Sequence, residues 1–277
     1  MTGFTGKYVN YADVKNQGLD VSLSGTVIKM KGWQWDIAFN MGYVKNEVTK
    51  SYSTPQAKYL VKSTYTPGEV FEGKPVNGMF SYPYAKLDES GIPLFYYGDK
   101  IIGVTDSDIV NFPNNVNNLK YEGTRDPILT GGLNMNLRYK RLSLSMLFAF
   151  GLKSVVRLPS VAFSSAPNGS ENVNATIKDR WRPGQNNEGK TIPVILENGG
   201  YVSINGEYST ATGWYNESDA TVVPGDYLRF RNLMLEYQLP AQWLEKVVVG
   251  GRSLGNVSLK FQAQNLFVIA NKRLKGY

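Results

Sequence analysis

The sequence predicts an all-β chain, an open segment of an antiparallel transmembrane β-barrel with about six spanning strands. Three observations carry this. Large apolar residues alternate with polar or small ones over segments of about ten residues. Short or moderate turns join these segments into hairpins, while residues 45–127 and 152–225, rich in Gly, Pro, Asn, Ser and Tyr, separate the hairpins. Finally, no stretch approaches the ~20 consecutive apolar residues of a membrane helix. The mean hydropathy of −0.29 agrees with a barrel, because alternation makes the average cancel.

The first hairpin opens with Leu19, Val21 and Leu23 alternating with Asp20, Ser22 and Ser24. After a tight connection at Lys29–Gly32 come Trp33, Trp35, Ile37, Phe39, Met41 and Tyr43, interleaved with Gln34, Asp36, Ala38, Asn40 and Gly42. Such a strand has one apolar face, since successive side chains point to opposite sides. The second hairpin pairs Leu133, Met135, Leu137 and Tyr139 with Leu142, Leu144, Met146, Phe148 and Phe150 across Lys140-Arg141. A third joins Leu233, Leu235, Tyr237 and Leu239 to Val257, Leu259, Phe261 and Ala263. Between its strands, Pro240 starts a single predicted helical turn in PAQWLEK.

A soluble β-sandwich also alternates and stays open as a rival. Its strands usually run about five or six residues. Trp33–Tyr43 covers eleven, the length of a tilted membrane strand of ~9–11 residues. Structureless connections as long as those here do not suit a compact soluble domain. Barrels have such asymmetry as a rule, with short turns at one end and long loops at the other. Residues 45–127 and 152–225 are therefore expected outside the cell, with Lys29–Lys31, Lys140-Arg141 and Pro240–Lys246 on the periplasmic side.

The 277 residues include no Cys and no His. Serine–histidine, cysteine–histidine and disulfide chemistry are thereby excluded. A net charge of +7 is spread along the chain without a basic run, so nucleic acid is not an expected partner. The opening MTGFTGKYVNYADV has neither a basic start nor an apolar core, and no signal peptide is read there.

Four stretches resemble the C-terminal part of SusC/RagA-type TonB-dependent transporters of Bacteroidetes. They are NYADVKNQGLDVSL (10–23), DRWRPGQ (179–185), PGDYLRFRNLMLEYQLP (224–240) and QNLFVIANKRLKGY (264–277), in the family's order. The resemblance implies TonB-powered uptake of oligosaccharides or peptides through the outer membrane of a Gram-negative bacterium. It implies as partners the rest of the barrel and its plug, a SusD-type surface lipoprotein, TonB through an N-terminal part, and outer-membrane lipid. Family members continue beyond Gly276-Tyr277, and nothing here resembles a plug or a TonB contact. The chain is accordingly expected to be the C-terminal portion of such a barrel without its last strands, since the plugged transporters have about 22 strands.

Neither a cofactor, a metal nor a catalytic residue is predicted. Arg229 and Arg231, flanking Phe230, are candidates either to touch substrate or plug, or to form a salt bridge that fixes the wall. Asp36 and Glu236 lie on polar faces, where pairing across the lumen suits them better than acid–base work. Trp33, Trp35 and Tyr43 suit the aromatic girdles at the membrane interfaces. In the loops, Trp181, Trp214, Tyr215, Tyr96 and Tyr97 are candidates to stack on a sugar or peptide, or equally to pin loops together; the tyrosines of SYPYAKL (81–87) share that reading. Asp106-Ser107-Asp108 reads as a solvated turn rather than a Ca²⁺ loop, and Gly250–Gly255 lacks the glycine spacing of a nucleotide site. The rival functions are a secreted glycan-binding sandwich and, more remotely, an acid-pair hydrolase.

Overall fold

In the computed structural model, residues 10–62, 69–159, 175–195, 201–204, 207–244, 248–249, 252–253 and 256–274 are described. The chain begins with strands β1 (Ala12–Met30) and β2 (Trp33–Ser51). A long connection follows with helix α1 (Ala57–Leu60) and strands β3 (Gly78–Ser81), β4 (Tyr84–Leu87), β5 (Pro93–Tyr97), β6 (Lys100–Ile102) and β7 (Lys120–Thr124). Strands β8 (Leu129–Tyr139) and β9 (Leu142–Leu152) lead to the second connection. That holds β10 (Val155–Arg157), β11 (Tyr201–Ile204), β12 (Glu207–Thr210), α2 (Ala211–Asn216) and β13 (Val222–Pro224). The chain closes with β14 (Tyr227–Gln238), α3 (Ala241–Leu244), β15 (Val248–Val249), β16 (Arg252–Ser253) and β17 (Ser258–Ala270).

Six strands form one antiparallel sheet in the order β1-β2-β8-β9-β14-β17, which does not close on itself. Its register brings the alternating residues of all six strands into common rows. Leu23, Phe39, Leu133, Phe148, Phe230 and Phe267 are successive cross-strand partners. On the opposite face, Thr26, Asp36, Asn136, Ser145, Met234 and Gln262 make an equivalent row. A slip of one residue in any strand would exchange the two faces, so the amphipathic pattern itself fixes the pairing. The Phe148 and Phe230 rings stack at 4.5 Å between centroids on the apolar side. Thr26 Oγ1 donates to Asp36 at 2.6 Å, and Ser145 Oγ to Asn136 at 2.7 Å, on the polar side.

Strand β14 keeps its apolar side constant through a bulge. Leu228 and Phe230 face the apolar side at even positions, but Leu233, Leu235 and Tyr237 do so at odd ones. The register shift between Phe230 and Asn232 leaves Arg231 as an extra residue against β9, and this changes the parity.

The apolar face has no second sheet over it among the described residues. Leu23 is 63% exposed and Phe261 61%, values that a sandwich core could not show. This removes the sandwich architecture. The buried core lies instead in the two long connections, which contain packed strands and helices rather than the featureless loops that their composition suggested.

Two strand expectations need correction. β1 and β2 run 19 residues each, not the eleven of Trp33–Tyr43. The upper half of β2 is held by the first connection, with Val48 N–H donating to Lys74 O and Gly73 N–H to Val48 O, both at 2.9 Å, and the upper half of β1 continues by pairing with it. Val48 is fully buried there. The first turn is also tighter than expected, with Met30 paired to Trp33 across Lys31-Gly32. α3 begins directly after Pro240, as the sequence predicts. Glu245 and Lys246 lie outside the described residues, as do Gly276 and Tyr277 and most of the Gly250–Gly255 stretch.

Candidate functional site

Both long connections leave the same end of the wall and pack into one cap. Its core takes Val61, Tyr82, Phe95, Ile102, Ile109 and Phe112 from the first connection, with Ala211 and Trp214 from the second. The Trp214 ring lies 5.5 Å from Phe112 and 6.2 Å from Phe95, edge-on to both. Tyr215 meets Tyr84 edge-on at 5.3 Å. Burying a large aromatic contributes roughly 1.5–3 kcal/mol, enough in sum to hold the cap as a unit.

Arg157 locks the two connections together. Its guanidinium donates to Phe80 O and Ser81 Oγ in the first, and to Ser218 O, Asn216 O and Thr221 Oγ1 in the second, at 2.8–3.3 Å. Burial pushes its pKa down to about 10. Glu217 and Glu122 are the nearby carboxyls, and burial raises both, opposed chiefly by Arg157 for Glu217 and by Lys120 for Glu122. Lys120 also bridges the connections, bonding Asp219 at 2.9 Å, and that contact raises its pKa. Asp219 Oδ1 in turn accepts from the Tyr84 N–H at 2.9 Å.

A cleft of about 680 Å³ opens beside this clamp. Tyr84 comes from the first connection, Asp179, Glu188, Lys190 and Ile192 from the second, and Arg273 from the segment after β17. Asp179 and Lys190 pair at 3.5 Å, and Arg273 donates to Ala220 O at 2.8 Å. A neighbouring cleft of about 320 Å³ shares Tyr84, Gly189, Lys190 and Thr191 and adds Trp181, Lys86 and Asp88. The two adjoin as one groove through these residues, and its lining sets charges of both signs beside the apolar Leu158, Ile192 and Ala220.

The six residues singled out in the sequence separate here. Trp181 lines the groove: its backbone N–H donates to Ile192 O at 2.9 Å, and its ring lies over Gly91, where any Cβ would meet it at 2.5 Å. Trp214 is only 6% exposed and Tyr215 1%, so both have the loop-pinning role and offer no surface for a ligand to stack on. Tyr97 is half-buried against Phe112, and its hydroxyl accepts from Asn115. Tyr96 stays exposed beside its cross-strand partner Ile101. Arg229 lies on the polar side of the wall, with its guanidinium 6.0 Å from the Tyr227 ring. The salt bridge considered for it is not among the ion pairs of the described residues; Glu236, by contrast, pairs with Lys260 at 3.6 Å. Asp36 is held by Thr26 and Gln34. In the Asp106-Ser107-Asp108 turn, Asp106 accepts from Gly103 N–H, and Asp108 pairs with Lys100 at 3.0 Å. Among the described residues no group of three or more acids could hold a metal ion.

Lys190 and Arg273 carried no local signal as site residues. Two of the resemblance stretches nevertheless converge on the groove, DRWRPGQ through Asp179 and Trp181 and QNLFVIANKRLKGY through Arg273.

No family model matches the sequence. A relative from Formosa agariphila, named TonB-dependent receptor P3, is 22% identical over 98% of this chain, which spans 26% of that protein. Among solved structures, the RagAB peptide importer in its open-open state matches 98% of this chain and 27% of its own, with a TM-score of 0.66 and 22% identity. The structure of the RagAB peptide transporter matches equally well in shape, at 0.66 and 19% identity. These similar proteins are receptors and transporters rather than enzymes. The resemblance read from four short stretches therefore extends along nearly the whole chain, and its fold is that of a barrel segment of a SusC/RagA-type TonB-dependent transporter.

Proposed function

We propose that the chain forms part of the outer-membrane barrel wall of a TonB-dependent transporter that imports peptides or oligosaccharides. The observation that carries this is the uncovered apolar face, uninterrupted across six strands. From Trp33 to Tyr43 a strand rising ~3.3 Å per residue and tilted ~40° covers about 25 Å, the height of a barrel's apolar band. The opposite face then lines the lumen, and the cap stands on the external side.

The chain spans about a quarter of the proteins it resembles. On this reading the remaining strands, the plug and the TonB-contacting part belong to the rest of the protein, and they close the two edges at β1 and β17. A SusD-type lipoprotein covers the cap, as the pairing in the name RagAB suggests. The groove of Tyr84, Trp181, Asp179, Lys190 and Arg273 receives substrate. Its mixed charges beside apolar side chains suit a peptide better than a neutral sugar, which offers no charge to pair with them. Tyr96 is a second external contact.

The test is nutritional. Disrupting the gene in its own host should abolish growth on peptides, or on an oligosaccharide, as the limiting nutrient, and so should loss of TonB. Undiminished uptake of both classes would contradict the proposal.

A further inference from the structure

Strand β4 is an outer strand of the β4-β5-β6 sheet, and its residues line the smaller of the two adjoining clefts. The direction of its N–H groups shows what its open edge offers. The Tyr84 N–H points away from β5, to Asp219 at 2.9 Å, and the Asp88 N–H points back to Ile92 O at 2.9 Å. Leu87 stands next to Asp88, so its own N–H and C=O point outward. Its cross-strand neighbour is Pro93, which has no N–H to give and suits a position without ladder bonds. Among the described residues, no segment outside the sheet bonds these two groups of half-buried Leu87.

Two further observations fit an added strand. Extended backbone already pairs along this edge one step earlier. Tyr82 N–H donates to Glu217 O at 3.2 Å and Asp219 N–H to Tyr82 O at 3.1 Å, in a parallel bridge. That segment enters a short helical turn at Asp219, and Leu87 lies beyond it on the cleft of about 320 Å³. The cleft also has a second side to hold a strand, made by Trp181, Asn187 and residues 189–191 of the second connection. The Tyr84 hydroxyl, reaching Thr191 O at 3.5 Å, joins the two.

We propose that the open edge of β4 takes an extended peptide as an added strand. The Leu87 N–H and C=O bond its main chain, and Lys86 and the Asp179–Lys190 pair meet its charges. The inference rests on the reading of this groove as the substrate site and deepens it. Recognition through the main chain admits peptides of many sequences, and it excludes an oligosaccharide, which has no alternating N–H and C=O groups.

The test uses the full-length transporter, purified from outer membranes in detergent, and a pool of synthetic octapeptides of random sequence. Retained peptides are measured by mass spectrometry. Leu87→Pro removes the outward N–H and leaves the bonds to β5 in place, a change that an edge strand tolerates. It should lower retention roughly tenfold, whereas Leu87→Ala, which keeps the N–H, should preserve most of it. The same pool N-methylated at every residue should be retained by the unaltered protein about as poorly as the plain pool is by Leu87→Pro. Equal retention of the two pools, or equal loss in the Pro and Ala variants, would overturn the added strand. Retention that Trp181→Ala abolishes and Leu87→Pro leaves unmoved would also overturn it, while keeping the groove as the substrate site. No retention of either pool, or retention untouched by both of those variants, would instead refute the substrate reading of the groove on which the inference depends.

Discussion

Arg157 leaves β10 with its guanidinium spread over backbone carbonyls and hydroxyls of two connections that are far apart in sequence. Removing it strands those acceptors. Arg157→Ala should therefore cost the cap about 3–5 kcal/mol, since each buried acceptor left unpaired costs roughly 1–3 kcal/mol, seen as earlier proteolysis of the connections with the wall intact. Glu122 and Glu217 respond to pH in the opposite sense to a surface ion pair. Burial raises both, so the fold prefers their neutral forms. The stability from that preference is fully present below the ordinary carboxyl pKa of about 4.3 and is lost as pH rises through each raised value. The cap should thus resist protease better at about pH 5 than at about pH 7, and Glu122→Gln should flatten the difference. The sequence could not single out Arg157, because its partners are backbone carbonyls and two hydroxyls, none of which carries a charge-pairing signature. It also left Trp214 and Tyr215 open between binding and pinning, since an exposed and a buried aromatic look alike without the fold around them.

At the scale of strands, more was legible. Period-two alternation located the three hairpins and their faces, and the register confirms each row. What escaped was whatever breaks the period. The upper ends of β1 and β2, from Ala12 to Gly18 and from Lys45 to Ser51, mix charged and small residues; that of β2 bonds to the first connection, and that of β1 pairs with it. The β14 bulge likewise hid the first third of that strand, since Leu228 and Phe230 appear out of phase with Leu233 until Arg231 is counted out. Deleting Arg231 tests this reading. Without the extra residue, Leu228 and Phe230 turn to the polar side and Arg229 to the apolar side, where a cation costs ~2–4 kcal/mol near mid-membrane. Folding yield in detergent, read by protection from trypsin, should fall sharply, whereas replacing Arg231 with Ala should leave it nearly unchanged.

Over the whole molecule the composition proved a poor guide and the pattern a good one. The mean hydropathy resembles that of a water-soluble protein, yet the sheet leaves its largest apolar surface uncovered and its core sits in the cap. Each unpaired edge of the wall presents N–H and C=O groups that cost several kcal/mol apiece in hydrocarbon, and in water they template association. Expressed alone in plain buffer, the chain should give aggregates or detergent-requiring β-rich material on size-exclusion chromatography; a monodisperse, cooperatively melting monomer would count against an open wall. The central claim is narrower: one face of this sheet meets lipid and the other meets water. Phe39 and Asn40 are adjacent in β2 and stand on opposite faces. In cells carrying the full-length transporter, a membrane-impermeant maleimide should label Asn40→Cys and spare Phe39→Cys. Labelling of the Phe39 variant with protection of the Asn40 variant would reverse the faces and contradict the account.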